Sequence, residues 1–260
     1  MSESSSHPHR SFYLLAHRLT LVMLALIPLQ IVVFVAAPPP ATVEGFFALF
    51  QRQPLLGLLS LDLLYLLNNA ILIVIYLALF LLLVNPKAHT ASNPILSVPP
   101  FTLLALVFSL VGIACYYPSN PAFEMLTLSR AWSTAPAGGQ SILLAAGEAV
   151  MAGYTGTAFD AYYVMNSISL ILFAVALLRD GRFAKSLGAW GLASGILMIV
   201  PSSAGLPGMV FSLLSLVPWM VFIALLLGAF RSAATGVLPP HGKHSTNQIA
   251  AGQDLPRDIP

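Results

Sequence analysis

The 260 residues are 58% apolar and only 8% charged, with a formal net charge of +2 and a mean hydropathy of +0.86. That balance excludes a soluble domain, in which roughly 25% of residues are charged, and so small a net charge gives no footing for nucleic-acid binding. Cys115 is the only cysteine, which excludes an internal disulfide and a cysteine-based metal cluster.

Six apolar runs approach the ~20 residues that a helix needs to cross a hydrocarbon core. They are Leu19–Ala37, Leu55–Val84, Pro99–Tyr117, Tyr154–Leu178, Leu187–Pro201 and Gly208–Phe230; the fifth is short and glycine-rich. Residues 1–18 read as a polar cytoplasmic tail. The first run reads as an uncleaved signal anchor, because Pro38-Pro39-Pro40 follows Ala37 and proline there disfavours cleavage. The aromatic segment Val43–Phe50 is expected to lie along the outer interface. Span two begins after Pro54, a first-turn proline, and ends at Asn85-Pro86-Lys87, with a short cytoplasmic loop over 85–98.

The longest connection, 118–153, predicts two helices. Asn120 is placed as a cap and Pro121 as the first helical residue of a helix over Ala122–Ser133. Pro136-Ala137-Gly138-Gly139 breaks it, and Ser141–Ala152 follows. Connections of this length often act as covers, so this pair is expected to cap the outer end of the bundle. Arg179-Asp180-Gly181-Arg182 reads as a tight turn. Gly188, Gly191 and Gly195 fall at helical spacing and predict close helix packing. Pro28 and Pro218 predict kinks within spans one and six. Residues 231–260, rich in Pro, Gly and polar side chains, read as a disordered cytoplasmic tail. The expected fold is therefore all-α: a polytopic six-transmembrane-helix bundle over residues 19–230 with a small extracytoplasmic helical cap.

Orientation follows from the basic residues. With the N-terminus inside, six spans place Arg10, Arg18, Lys87, Arg179, Arg182, Lys185, Arg231, Lys243 and Arg257 in the cytoplasm, and only Arg52 and Arg130 outside. This positive-inside bias puts both termini in the cytoplasm.

A polar triplet recurs within the apolar runs. Asp62-x-x-Tyr65-x-x-Asn68 is followed by Asp160-x-x-Tyr163-x-x-Asn166, and an intramembrane carboxylate usually faces a partner or a cavity. Helical geometry puts Asp62, Tyr65 and Asn69 on one face and Asp160, Tyr163 and Ser167 on another, with Asn68 and Asn166 beside them. Two readings follow. In one, the stripes line an outward-opening pocket with two carboxylates at its base, roofed by a cap carrying Glu124 and Glu148. In the other, the stripes bond across the bundle as interhelical glue, worth only ~0.6 kcal/mol per bond on average. The candidate ligand-binding residues are Asp62, Tyr65, Asn68, Asn69, Glu124, Asp160, Tyr163 and Asn166. The tyrosines and tryptophans Tyr116, Tyr117, Tyr154, Tyr162, Trp132, Trp190 and Trp219 are expected to form an interfacial anchoring belt.

What is missing from the outer side is also informative. His7, His9, His17, His89, His241 and His244 all fall in cytoplasmic segments. A Ser-His-Asp hydrolase and a His-based zinc site are therefore disfavoured there. No phosphate-cradling glycine loop is present, and no metal site and no cofactor are expected, although oxygen-only ligands would suit a hard ion such as Ca²⁺ or Mg²⁺ if any metal binds. Five acids against two arginines outside favour a cation, a proton or a neutral amphiphile over an anion.

Three stretches carry a family resemblance: Asn120-Pro121-Ala122-Phe123-Glu124-Met125-Leu126-Thr127-Leu128-Ser129, Leu143-Leu144-Ala145-Ala146-Gly147-Glu148-Ala149, and Pro54-Leu55-Leu56-Gly57-Leu58-Leu59-Ser60-Leu61-Asp62. Together they resemble domain-of-unknown-function family 4386, a group of bacterial multi-pass membrane proteins. The resemblance implies a bacterial cytoplasmic (inner) membrane location and assigns no activity to any residue.

Three functions fit. The first is binding or moving a small cationic or neutral amphiphilic ligand at the Asp/Tyr/Asn pocket. The second is a lipid-directed lyase, cyclase or hydrolase using paired carboxylates, one as acid and one as base. The third is a sensor or assembly subunit. The partners expected are the lipid bilayer and a small-molecule or lipid ligand, with no nucleic acid.

Overall fold

Backbone groups that enter hydrocarbon find no water to bond, so an apolar chain of this kind satisfies them within helices. The computed structural model describes residues 9–84 and 99–237, and every regular element there is helical. In chain order these are α1 (Arg10–Ala36), α2 (Val43–Arg52), α3 (Pro54–Ser60), α4 (Leu63–Leu83), α5 (Pro100–Ser119), α6 (Ala122–Thr134), α7 (Ala137–Tyr154), α8 (Thr157–Arg179), α9 (Lys185–Met198) and α10 (Gly205–Thr235). The 85–98 loop and the greater part of both expected tails lie outside the described residues.

Five stretches are long and apolar enough to cross a membrane: α1, α4, α5 running on into α6, α7 running on into α8, and α10. The protein is thus an all-α chain of multi-pass membrane character. The fifth expected span corresponds to α9, whose 14 residues extend only ~21 Å against a core of ~30 Å. α1 begins well before Leu19, because Tyr13 and Ala16 are buried in the bundle and hold the chain helical from Arg10 onward.

α1, α4, α5, α8, α9 and α10 pack in that order around a ring, which closes where α10 returns to α1. Ile75, Leu79, Phe173, Phe222, Leu226 and Phe230 fill one half of it. The glycine stripe of α9 does what its spacing predicts. A Cβ at Gly188 would meet the Ala174 carbonyl oxygen at 2.9 Å, and one at Gly195 would meet the Ile171 nitrogen at 3.2 Å. Only glycine lets α9 lie this close to α8, where Ser167 Oγ donates to the Gly195 carbonyl at 2.7 Å.

A second layer joins the ring at one end, where α3 leads into α4, α5 into α6 and α7 into α8. α2, α3, α6 and α7 share a separate core of Phe46, Phe47, Phe50, Leu61, Ala122 and Met125. The Val43–Phe50 segment differs here from its expected place on an outer interface. Its phenyl rings stand at positions i, i+1 and i+4 of α2 and therefore share one face, which is buried against α6, and Ser129 Oγ donates to the Phe47 carbonyl at 2.8 Å.

At the opposite end Arg182 ties two turns together. Its guanidinium pairs with Asp180 at 2.7 Å and donates to the Leu82 carbonyl at 2.7 Å, closing the buried C-terminus of α4. Hydrogen bonds to charged groups contribute ~1.5–3 kcal/mol. Arg182→Ala should therefore lower stability by about 2 kcal/mol, read as a lower thermal midpoint in detergent. An unchanged midpoint would show that this clamp holds nothing.

Candidate functional site

The site begins at a break in the longest apolar run. Leu55–Val84 reads as one helix, yet the structure divides it at Leu61-Asp62 into α3 and α4. Asp62 has φ +62°, the sole non-glycine residue at positive φ among the described residues. Aspartate is one of the few residue types that enter this left-handed region without a large penalty. The break loosens the helical bonding, leaving the Leu59 carbonyl a 3.3 Å bond from the Asp62 amide, and side chains from other elements add donors. Gln30 Nε2 on α1 donates to the Leu59 carbonyl at 3.2 Å, and Asn120 Nδ2 donates to the Leu61 carbonyl at 2.8 Å. Asn120 Oδ1 also accepts from the Ala122 amide at 3.1 Å, so the residue that starts α6 also fastens the break.

Below the break lies a cavity of about 400 Å³ inside the ring. Asp62, Tyr65 and Asn68 line it from the α4 side, and Tyr162, Tyr163 and Asn166 from α8. Tyr116 of α5, Tyr154 of α7, Gln30 of α1 and Trp219 of α10 complete the wall around them. Tyr154 donates its hydroxyl to Asp62 Oδ2. The tyrosines pack on one another. Ring centroids are 5.2 Å apart for Tyr65 and Tyr116, 4.9 Å for Tyr116 and Tyr162, and 5.6 Å for Tyr162 and Tyr163. Asp62 is the one acid in the lining, and no Lys, Arg or His joins it.

The sequence-predicted residues are only partly brought together. Asp62, Tyr65, Asn68, Tyr163 and Asn166 line the cavity. Asn69 is buried beside it, donating to the Tyr65 carbonyl at 3.0 Å. Asp160 sits in the first turn of α8, an electrostatically favourable place for a carboxylate, and accepts from Ser203 Oγ; it is not among the lining residues. Glu124 is exposed on α6 beside a shallow depression formed with Leu63, Leu67, Tyr117 and Phe123.

The two stripes do meet, but one residue out of the register that the triplet suggests. Tyr65 pairs with Tyr162 rather than with Tyr163, the two hydroxyls lying 2.9 Å apart. Asn166 then repeats the bond of Asn69, with Nδ2 donating to the Tyr162 carbonyl at 3.0 Å. The matched unit in space is therefore Tyr-x-x-x-Asn on both helices. The side-chain Oδ1 atoms of Asn68, Asn69 and Asn166 are buried without a partner among the described residues.

Sequence reasoning missed Gln30, Tyr116, Tyr154, Tyr162 and Trp219 as wall residues. The expected anchoring belt is corrected for the last four, which face inward. Trp132 is in the α2–α7 layer, and only Tyr117 and Trp190 are exposed as a belt requires. An amphipathic ring near a span end fits both places equally well by sequence. Gln30 carried a readable signal, being the single amide in an otherwise apolar first span. Among the described residues no three of His, Cys, Asp and Glu converge as a metal-ligand set.

No family model, curated protein or solved structure matches the chain.

Proposed function

We propose that this membrane protein binds a small lipophilic cation in the cavity beneath Asp62. The observation that carries this is a single carboxylate facing a cavity walled by tyrosines packed edge-to-face and tilted, with no basic side chain in the lining. A cation over an aromatic face gains ~0.5–2 kcal/mol, more when desolvated, and a carboxylate in the same wall selects its sign. On this reading all six ring helices cross the bilayer, the short α9 by thinning it locally, both termini are cytoplasmic, and the α2, α3, α6 and α7 layer is the extracytoplasmic cap. The resemblance to a bacterial family supports a cytoplasmic-membrane location. The paired-carboxylate enzyme needs two acids on one substrate; with Asp62 alone in the lining, that reading has less support.

The test uses two probes of one shape and opposite charge, tetraphenylphosphonium and tetraphenylborate, with the full chain in lipid nanodiscs. Wild type should bind the phosphonium and discriminate against the borate. Asp62→Asn should weaken phosphonium binding at least about tenfold, or ~1.4 kcal/mol. Equal binding of both probes, or an Asp62→Asn variant that binds as wild type does, would sink the proposal.

A further inference from the structure

We infer that the ligand enters sideways from the bilayer, through a mouth between α1 and α10. This deepens the cation-binding reading and rests on it, assigning the ligand to cations that partition into lipid rather than those that stay in water.

A residue that lines a cavity and is itself open to the surroundings marks an entrance. On the lateral wall two large apolar residues meet that description: Ile31 of α1, 45% exposed, and Leu213 of α10, 64% exposed. The two helices run antiparallel, and the His17 ring bonded to the Leu227 carbonyl at 3.1 Å fixes their register. Counting fourteen residues along each helix from that bond reaches Ile31 and Leu213 at the same level. The lips of the mouth therefore face each other. Both helices also carry a proline near this level, Pro28 and Pro218, three and five residues from the lips. Proline removes an amide donor and clashes with the preceding turn, and it is the commonest cause of sharp kinks. The wall beside the mouth is thus where the ring is least held by its own backbone bonds.

The lips are apolar and belong to helices that present long apolar faces outward, so the mouth opens on hydrocarbon. The one other exposed lining residue, Thr155, stands in the turn between α7 and α8 next to the cap layer. That edge is polar and would admit a ligand from water. The apolar route suits a lipophilic cation. It would slide in from the bilayer, bring its charge to Asp62 and leave its apolar part against Ile27, Leu72 and Met198.

The experiment places a bulky maleimide on single cysteines in the full chain with Cys115→Ala, reconstituted in lipid vesicles. Association of tetraphenylphosphonium is followed by the change in tyrosine and tryptophan fluorescence. Label on Leu213→Cys should slow association at least about fivefold, and Ile31→Trp, which narrows the opposite lip, should slow it likewise. Label on Val217→Cys, one turn along α10, equally exposed at 64% and outside the lining, should leave the rate as it was. An unchanged rate in the Leu213-labelled protein overturns the lateral mouth, including the case in which label on Thr155→Cys does the slowing instead. Absence of Asp62-dependent binding in the unlabelled protein is a different result. It removes the cation-binding reading itself, and the mouth with it.

Discussion

Gly112→Ala should be among the most damaging one-carbon changes in the bundle, lowering stability by about 3 kcal/mol. A Cβ at Gly112 on α5 would fall on Asn166 Nδ2 and come within 3.1 Å of Met165 Cβ on α8. Neither neighbour is the loose end of a flexible chain. Asn166 is buried and its Nδ2 already donates to the Tyr162 carbonyl, so pushing it aside breaks that bond and leaves its whole amide unpaired. Overpacking alone costs ~1–3 kcal/mol, and an unsatisfied buried donor adds ~1–3 kcal/mol. Gly228→Ala on α10 is the control, because a Cβ there meets nothing within 4 Å. Alanine also favours helix over glycine by ~1 kcal/mol. Thermal denaturation in one detergent should show a marked drop for the first variant and no loss for the second. A small effect at Gly112 would mean that α5 and α8 are free to separate.

The second large effect concerns Asp62, where stability and binding are expected to part company. At φ +62° a glycine is unstrained, whereas a β-branched residue is a true outlier. Asp62→Val should therefore cost about 2 kcal/mol or more, combining the left-handed backbone penalty of ~1–2 kcal/mol with the lost acceptor for Tyr154. Asp62→Gly should keep most of wild-type stability, since relief of the backbone offsets loss of the hydrogen bond. It should nonetheless lose phosphonium binding as fully as Asp62→Asn does. A stable, non-binding glycine variant would show that the carboxylate is retained for the cavity rather than for the fold. A glycine variant that unfolds as readily as the valine one would show that Tyr154 and Asp62 chiefly hold the α3–α4 break, and the search for function should then move to the α2, α3, α6 and α7 layer.

Much of the architecture was legible because lipid solvent leaves a chain few choices. Long apolar runs had to become helices, and α4, α5, α8 and α10 fall where the runs lie. Cap and breaker chemistry located α6 and α7, because Asn120, Pro121 and Pro136 act on their own backbone neighbourhood. The close approach of α9 to α8 was likewise written into three glycines. The candidate site was legible in position but not in partnership. The triplet drew attention to α4 and α8, yet Tyr65 found Tyr162, while Asp160 found Ser203 in the turn before α10. Which of two adjacent tyrosines meets Tyr65 depends on the rotation of α8 about its own axis. Neighbouring helices set that rotation; local sequence does not.

The amino-acid sequence by itself determined the helical class, the membrane character and the neighbourhood of the polar residues. Each follows from local chemistry: hydropathy over a window, proline and glycine in the backbone, acids among apolar residues. Tertiary structure decided the break at Asp62, the inward turn of Tyr116, Tyr154, Tyr162 and Trp219, and the reduction of two expected carboxylates to one at the cavity. The break is held by Gln30 and Asn120, distant in the chain, which donate to the Leu59 and Leu61 carbonyls on either side of it. Bonds of that kind stabilise a conformation that no neighbouring residue would select, and they need the packing of α1 and α5 against it.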